Sequence, residues 1–220
     1  MLTLHIFPVV QAFYMSFLDL NQFTISQYLL APFVGFKNYA DILFNFNSPI
    51  HIGLFESIRN TVIYTIVVTL GTTGVGMVVA LMVNRKFRGK NIVRALYLFP
   101  WVVPTYVVGL LWAFMWQKEI GIINLFLVDW LHILPAKPFW LLGSNTLWAI
   151  IIPTIWRFWP LSMLMLLAGM QSIPDELYEA AEIDGASGWT KFWKITFPML
   201  TPVWAILILF GLISNTYSFN

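Results

Sequence analysis

Long apolar runs separated by short polar breaks set the pattern of this chain. Residues Leu4–Leu18 are apolar apart from His5, Gln11 and Ser16, and the run stops at Asp19. A spanning helix needs about 20 residues, so this stretch reads as the outer end of a first span, residues 1–18. Residues Asp19–Asn60 mix charges, Pro32, Gly35 and Pro49 with aromatics, and read as a loop with short helical pieces. Thr61–Val83 contains no charged residue and is long enough to cross a bilayer. Its Gly71, Gly74, Gly76 and Ala80 offer a small-residue surface for close helix packing. No Lys-Ser/Thr follows those glycines, so packing is the better reading than a phosphate loop.

Asn84–Arg94 is short and basic. Ala95–Gln117 is a second full span, with Pro100 and Pro104 one turn apart and a kink expected there. Lys118–Asn145 is a loop. Thr146–Met170 is a third full span, interrupted by Pro153, Arg157 and Pro160. An arginine in a span costs on the order of 3 kcal/mol. Arg157 therefore faces protein or a water-filled cavity, as a pathway or interface residue, or else snorkels and pairs structurally. Residues 201–220 begin a further, partial span.

Residues 171–200 are different in kind. They hold five of the ten acidic residues: Asp175, Glu176, Glu179, Glu182 and Asp184. Ser172 can cap a helix with Asp175 three residues on, and Pro174 suits a first turn. The acids lie at the positive end of the macrodipole. Gly185 reads as a stop, Ser187 as the cap of a second helix through about Thr196, and Pro198 as its end. Asp175, Glu179 and Glu182 share one face. Trp189, Phe192, Trp193 and Thr196 form a stripe on the second helix. A solvated connector on the membrane surface and a docking surface for another protein both fit this spacing.

Composition and charge narrow the class. The chain of 220 residues is 59% hydrophobic and 10% charged, against about 25% charged in soluble domains. It reads as all-α: a polytopic transmembrane helix bundle forming one domain over residues 1–220. A net charge of +2 gives no ground for nucleic-acid binding. With no cysteine there is no thiolate nucleophile, and His5, His51 and His132 lack metal-ligand spacing. Paired carboxylates at membrane depth, a GxSxG elbow and a phosphate motif are all missing from the sequence, so no catalytic residue is assigned. Arg85, Lys86, Arg88, Lys90, Arg94, Lys191 and Lys194 place the basic loop and the 171–200 segment in the cytoplasm by the positive-inside rule. Lys37, Arg59, Lys118 and Lys137 fall in the two external loops.

Glu179-Ala180-Ala181, three residues, Gly185, nine residues, Ile195, one residue, Phe197 and Pro198 resembles the EAA loop of ABC importer permeases. Phe197 stands where the family usually has Leu. Residues 183–187 (IDGAS, with Asp184), 98–104 (LFPWVVP), 167–181 (LAGMQSIPDELYEAA) and 33–43 resemble the sugar-class, maltose-type branch. The resemblance implies the permease subunit of an ATP-driven importer in the cytoplasmic (inner) membrane of a prokaryote. It implies ABC ATPase subunits, a second homologous permease and an extracytoplasmic solute-binding protein as partners, beside membrane lipid. ATP and Mg would sit on the ATPase, and none on this chain. Glu179 would contact a basic residue of the ATPase and Gly185 would allow the turn, with Ala180, Ala181, Asp184, Ile195 and Pro198 completing the coupling surface. Family members commonly have six spans, so the chain is expected to be a fragment lacking the start of the first and the whole of the last. Sugar rests on the branch resemblance, since the eleven tryptophans suit interface belts as well as sugar stacking. A secondary transporter or channel, a permease for a non-sugar solute such as glycerol phosphate, and a membrane enzyme are the competing readings.

Overall fold

The computed structural model describes residues 2–85 and 87–218. Of residues 2–5 and 218 only the backbone is described, so the His5 side chain and Lys86 lie outside the described residues. The chain divides into two compact units, residues 1–60 and 61–220.

In the first unit α1 (Leu2–Met15) and α2 (Lys37–Phe44) are joined by a short 3-10 turn, Ile25–Leu30. The connecting chain closes through an isolated antiparallel bridge between Leu18 and Phe33. The Asp19 N–H donates to Pro32 O at 2.9 Å, and the Val34 N–H to Phe17 O at 2.8 Å. Asn38 Nδ2 donates to the carbonyls of Ser16 and Leu18 at 3.0 and 2.9 Å, which seats α2 on the end of α1. Phe13, Phe33, Phe36 and Tyr39 pack around Phe17. His51 is buried between the rings of Phe46 and Phe55, and its Nδ1 donates to Ile42 O at 2.7 Å.

The third helix, α3 (Pro49–Asn84), has 36 residues. That is roughly 54 Å at 1.5 Å per residue, well beyond a hydrocarbon core. Residues 49–60, read from sequence as loop, are its first turns. Pro49 is tolerated there because an N-terminal N–H has no intrahelical partner anyway. Ser48 supports the start, its Oγ accepting from the Ile50 N–H at 3.3 Å and its carbonyl from the Ile52 N–H at 3.1 Å.

In the second unit the basic connection is shorter than expected. Gly89 turns the chain at φ +84 and α4 (Lys90–Tyr97) starts directly after it. Then follow α5 (Phe99–Val102) and α6 (Thr105–Met115). The expected single span 95–117 is instead a broken pair, with Lys90–Val102 and Thr105–Met115 meeting at 89°. Pro104 is the cause: its ring drives the residue before it out of the helical region, and Val103 sits at φ −63, ψ 131. A single long helix, α7 (Thr146–Gln171), accommodates both Pro153 and Pro160. After it come α8 (Asp175–Ile183), α9 (Gly188–Met199) and α10 (Thr201–Ser218). Two helices of the described residues, α3 and α7 with its leading turn, are each long and apolar enough to cross a membrane. The number rises to four if each bent pair is one span.

The core joins α3, α7 and α10 through Ala80, Val83, Met163, Leu166, Leu200 and Leu207. Close approach depends on Gly76, where an added Cβ would lie 2.7 Å from Ser162 Cβ and 2.8 Å from Met163 N. Gly74 faces open space and takes no part in that contact. Thr65, Thr69, Thr72 and Thr73 make a second, polar stripe on α3, all buried. Asn215 Nδ2 donates to Thr69 Oγ1 at 3.0 Å, tying α10 to α3 by a hydrogen bond of the kind that holds membrane helices together. Val62, Ile66 and Leu70 on α3 are exposed, as a lipid-facing row would be. Between α6 and α7, Asn124 is fully buried and fully paired: it donates to Lys118 O and Pro138 O and accepts from Trp140 Nε1 at 2.7 Å.

Candidate functional site

Two features of the second unit can carry function: the turn between α8 and α9, and a cavity against α7. The turn is built on a short scaffold. Ser172 does not cap α8; it ends α7, its Oγ donating to Gly169 O at 2.8 Å. Pro174, extended at ψ 133, precedes the helix rather than lying in its first turn. Ile173 is buried in the core and anchors the entry. At the other end the Ala186 N–H donates to Ala181 O at 2.8 Å and the Gly185 N–H to Glu182 O at 3.0 Å. This bond pair is a Schellman closure, which needs a left-handed residue between its ends, and Gly185 has φ +72. Ser187 Oγ then accepts from the Thr190 N–H at 3.2 Å, capping α9.

Pro198 does not end α9, and Phe197 is not pushed out of the helical region, having φ −64, ψ −48. Residues Phe192–Thr196 form a wide π turn, in which the Phe197 N–H reaches Phe192 O, five residues back. A proline ring ordinarily clashes with the carbonyl four residues earlier. The widened turn just before Pro198 gives the ring room, and the helix runs on to Met199. The break comes at Leu200, buried in the core, where α9 and α10 meet at 65°.

The loop residues sort by exposure. Glu179, Ala180, Asp184 and Pro198 are exposed, while Ala181 and Ile195 are half-buried. Ile195 packs against the core. Tyr178 and Thr196 share a hydroxyl hydrogen bond at 2.9 Å, which fixes α8 on α9. Lys191 Nζ lies 2.5 Å from Glu182 Oε1. Its donated hydrogen bond, and secondarily its charge, hold the Glu182 carboxyl below the usual carboxylate range. The turn also carries unburied apolar surface: Ile183 is 88% exposed and Trp189 is 72% exposed. Trp189, Phe192, Trp193 and Phe197 form a continuous run of ring contacts.

The cavity has a volume of about 740 Å³. Trp101, Trp112, Trp116, Phe158 and Phe210 supply aromatic walls, and Thr72, Thr105, Thr154, Ser162 and Asn215 supply hydroxyl and amide groups. Arg157 lines it, donating from Nη1 to Thr105 Oγ1 at 2.5 Å, with its guanidinium 5.3 Å from the Phe158 ring centre. The prolines of α7 shape this wall. Pro153 has no N–H for the carbonyl of Ala149, and Trp116 Nε1 donates to that carbonyl at 3.1 Å instead. The donor comes from across the α6–α7 interface, where Trp112, Trp116 and Ala149 are buried together.

The sequence reading found Arg157 and the loop residues but missed Thr105, Trp116 and Asn215. The Thr65/Thr69/Thr72/Thr73 spacing on α3 was a readable signal for a buried polar stripe, of which Thr72 lines the cavity. The pairing of Trp116 with a proline-freed carbonyl left none.

With this geometry in place, comparison with known proteins is direct. Residues 72–218 match the model of the family described as binding-protein-dependent transport system inner membrane component. The chain is 34% identical over 213 residues to the inner membrane ABC transporter permease protein YcjO of Escherichia coli (strain K12), covering 96% of this chain and 70% of that one. It is 36% identical over 181 residues to the trehalose/maltose transport system permease protein MalF of Thermococcus litoralis, covering 81% of this chain and 58% of that one. Among solved structures, a bacterial ABC transporter involved in import of the acidic polysaccharide alginate shares the fold, with TM-score 0.75 at 21% identity over 98% of this chain and 69% of that chain. The chain belongs to the family of inner membrane components of binding-protein-dependent transport systems.

Proposed function

We propose that residues 1–220 act as one permease domain of an ATP-driven importer, passing a sugar or oligosaccharide delivered by an extracytoplasmic binding protein. The observation that carries this reading is the α8–α9 turn. A connector that only bridged two spans would hide its apolar groups, yet Ile183 at the end of α8 and Trp189 at the start of α9 stand exposed in the same turn segment as the exposed Glu179 and Ala180. Apolar surface rimmed by charge is what a docking site for another protein presents. In this reading Glu179, Ala180, Ala181, Asp184, Gly185, Ile195 and Pro198 form or shape the face offered to an ATPase subunit, which holds the ATP and Mg. A second permease completes the pathway, and the cavity beside α7 is this chain's part of it. Its aromatic walls and hydroxyl groups suit a hydroxylated solute. The sugar class is further supported by the trehalose/maltose name of one relative.

The test is reconstitution of the full-length permease with its ATPase, partner permease and binding protein in proteoliposomes. Uptake of a sugar that requires both ATP and the binding protein is expected. Uptake driven by an ion gradient in the absence of ATP would overturn the reading.

A further inference from the structure

We propose that the α7 cavity selects solutes carrying an oxyanion (a carboxylate, sulfonate or phosphate on a hydroxylated body) and that Arg157 is the residue that recognises it. The proposal rests on the reading of this cavity as part of the transport pathway.

Arg157 is the one formally charged side chain among the described lining residues, and no carboxylate lines the cavity with it. Among the described residues its polar contact is the neutral hydroxyl of Thr105. Its Nε is buried with no hydrogen-bond partner among the described residues, and so is Nε1 of Trp112, another lining residue. Both unsatisfied atoms are donors, and neither arginine nor indole can accept. The wall therefore carries a positive charge with no counter-charge among its described residues. Arg157 is half-buried, and a partly desolvated charge lacking a counter-charge is costly. A neutral sugar brings hydroxyls that satisfy donors but leaves the charge uncompensated. An oxyanion supplies acceptor lone pairs and opposite charge together, and a guanidinium matches its paired oxygens in a fork geometry. The aromatic walls and the hydroxyls of Thr72 and Thr154 would then meet the hydroxylated body of the same solute.

The experiment measures binding of glucose, glucuronate and glucose 6-phosphate to the detergent-purified full-length permease complex without binding protein, by calorimetry. Wild type is expected to bind both anionic sugars about tenfold or more tighter than glucose, the scale of one hydrogen bond to a charged group. The advantage should shrink as salt rises. Arg157→Gln should erase it, and Arg157→Lys, which keeps the charge, should retain part of it. Comparing glucuronate with glucose 6-phosphate separates a carboxylate from a phosphate preference. Equal affinity for glucose and the anions, no binding of any of the three, or an anion preference that survives in Arg157→Gln overturns the assignment. The wild-type panel stands even if the variants fail to assemble. ATP-dependent uptake of neutral sugars by the same complex, unaffected in Arg157→Gln, would overturn it while leaving the importer reading in place.

Discussion

Gly185 shows how much one backbone angle decides. At φ +72 with nothing within 4 Å of a built Cβ, it meets no steric neighbour, so the cost of any side chain is conformational alone. That cost is roughly 1–2 kcal/mol for an L-residue in the left-handed region. The spans do not depend on it, so Gly185→Val should leave the chain inserted. The Schellman closure would shift instead, moving Trp189 relative to Glu179. We expect ATP hydrolysis to uncouple from uptake, or the ATPase to dissociate. Subunit stoichiometry, ATPase rate and uptake measured on one preparation check this, and normally coupled uptake would refute it. This turn was legible because a glycine flanked by helix signals leaves few alternatives. Asn124 was not: its three hydrogen bonds run to Lys118, Pro138 and Trp140, partners up to 16 residues apart that a local pattern does not connect.

At the scale of elements, the small residues of α3 divide into two kinds. Gly76 meets the backbone of α7 and Gly74 meets nothing. Gly76→Val should therefore pry α3 from α7 and destabilise the protein by about 1–3 kcal/mol, the usual range for overpacking. Gly74→Val should be nearly silent. Thermal unfolding of the two variants in detergent gives the comparison, and equal shifts would show that the helices do not pack here as described. The sequence placed both glycines in a packing surface because a stripe of small residues has no direction until its partner is known. Proline misled in the same way. Pro104 breaks its helix by 89° because Val103 can turn outward, whereas Pro198 does not break α9 because a widened turn precedes it. Whether a proline bends or is absorbed depends on the hydrogen-bond register before it, which composition does not reveal.

For the whole molecule, the order of long apolar helices and the position of the acidic turn were readable from hydropathy and charge. The cavity was not, since it is assembled from α3, α6, α7 and α10 and appears in no single segment. In the proposed importer, function at this scale turns on the exposed face of α8. Glu179 is exposed in the isolated chain, so Glu179→Ala should not change its stability. In the assembled importer, truncating one partner of a buried charge pair costs about 2–5 kcal/mol. We expect normal membrane levels with weakened ATPase association or lost substrate-stimulated hydrolysis. Co-purification of the ATPase at wild-type stoichiometry together with normal transport would remove Glu179 from the docking role.

The bond from Trp116 to the carbonyl of Ala149 also orders the changes this protein can accept. Trp116→Phe alone strands a buried carbonyl, at about 1–3 kcal/mol. Pro153→Ala restores an N–H inside α7 that can reach the same oxygen. Made second, Trp116→Phe should then cost less, by at least about 0.5 kcal/mol in a double-mutant cycle of thermal unfolding; a coupling of zero would show that the indole does not stand in for the missing amide. Pro153→Ala is thus permissive for loss of the tryptophan, and a lineage that sheds both can do so by a gentle route only if the proline goes first.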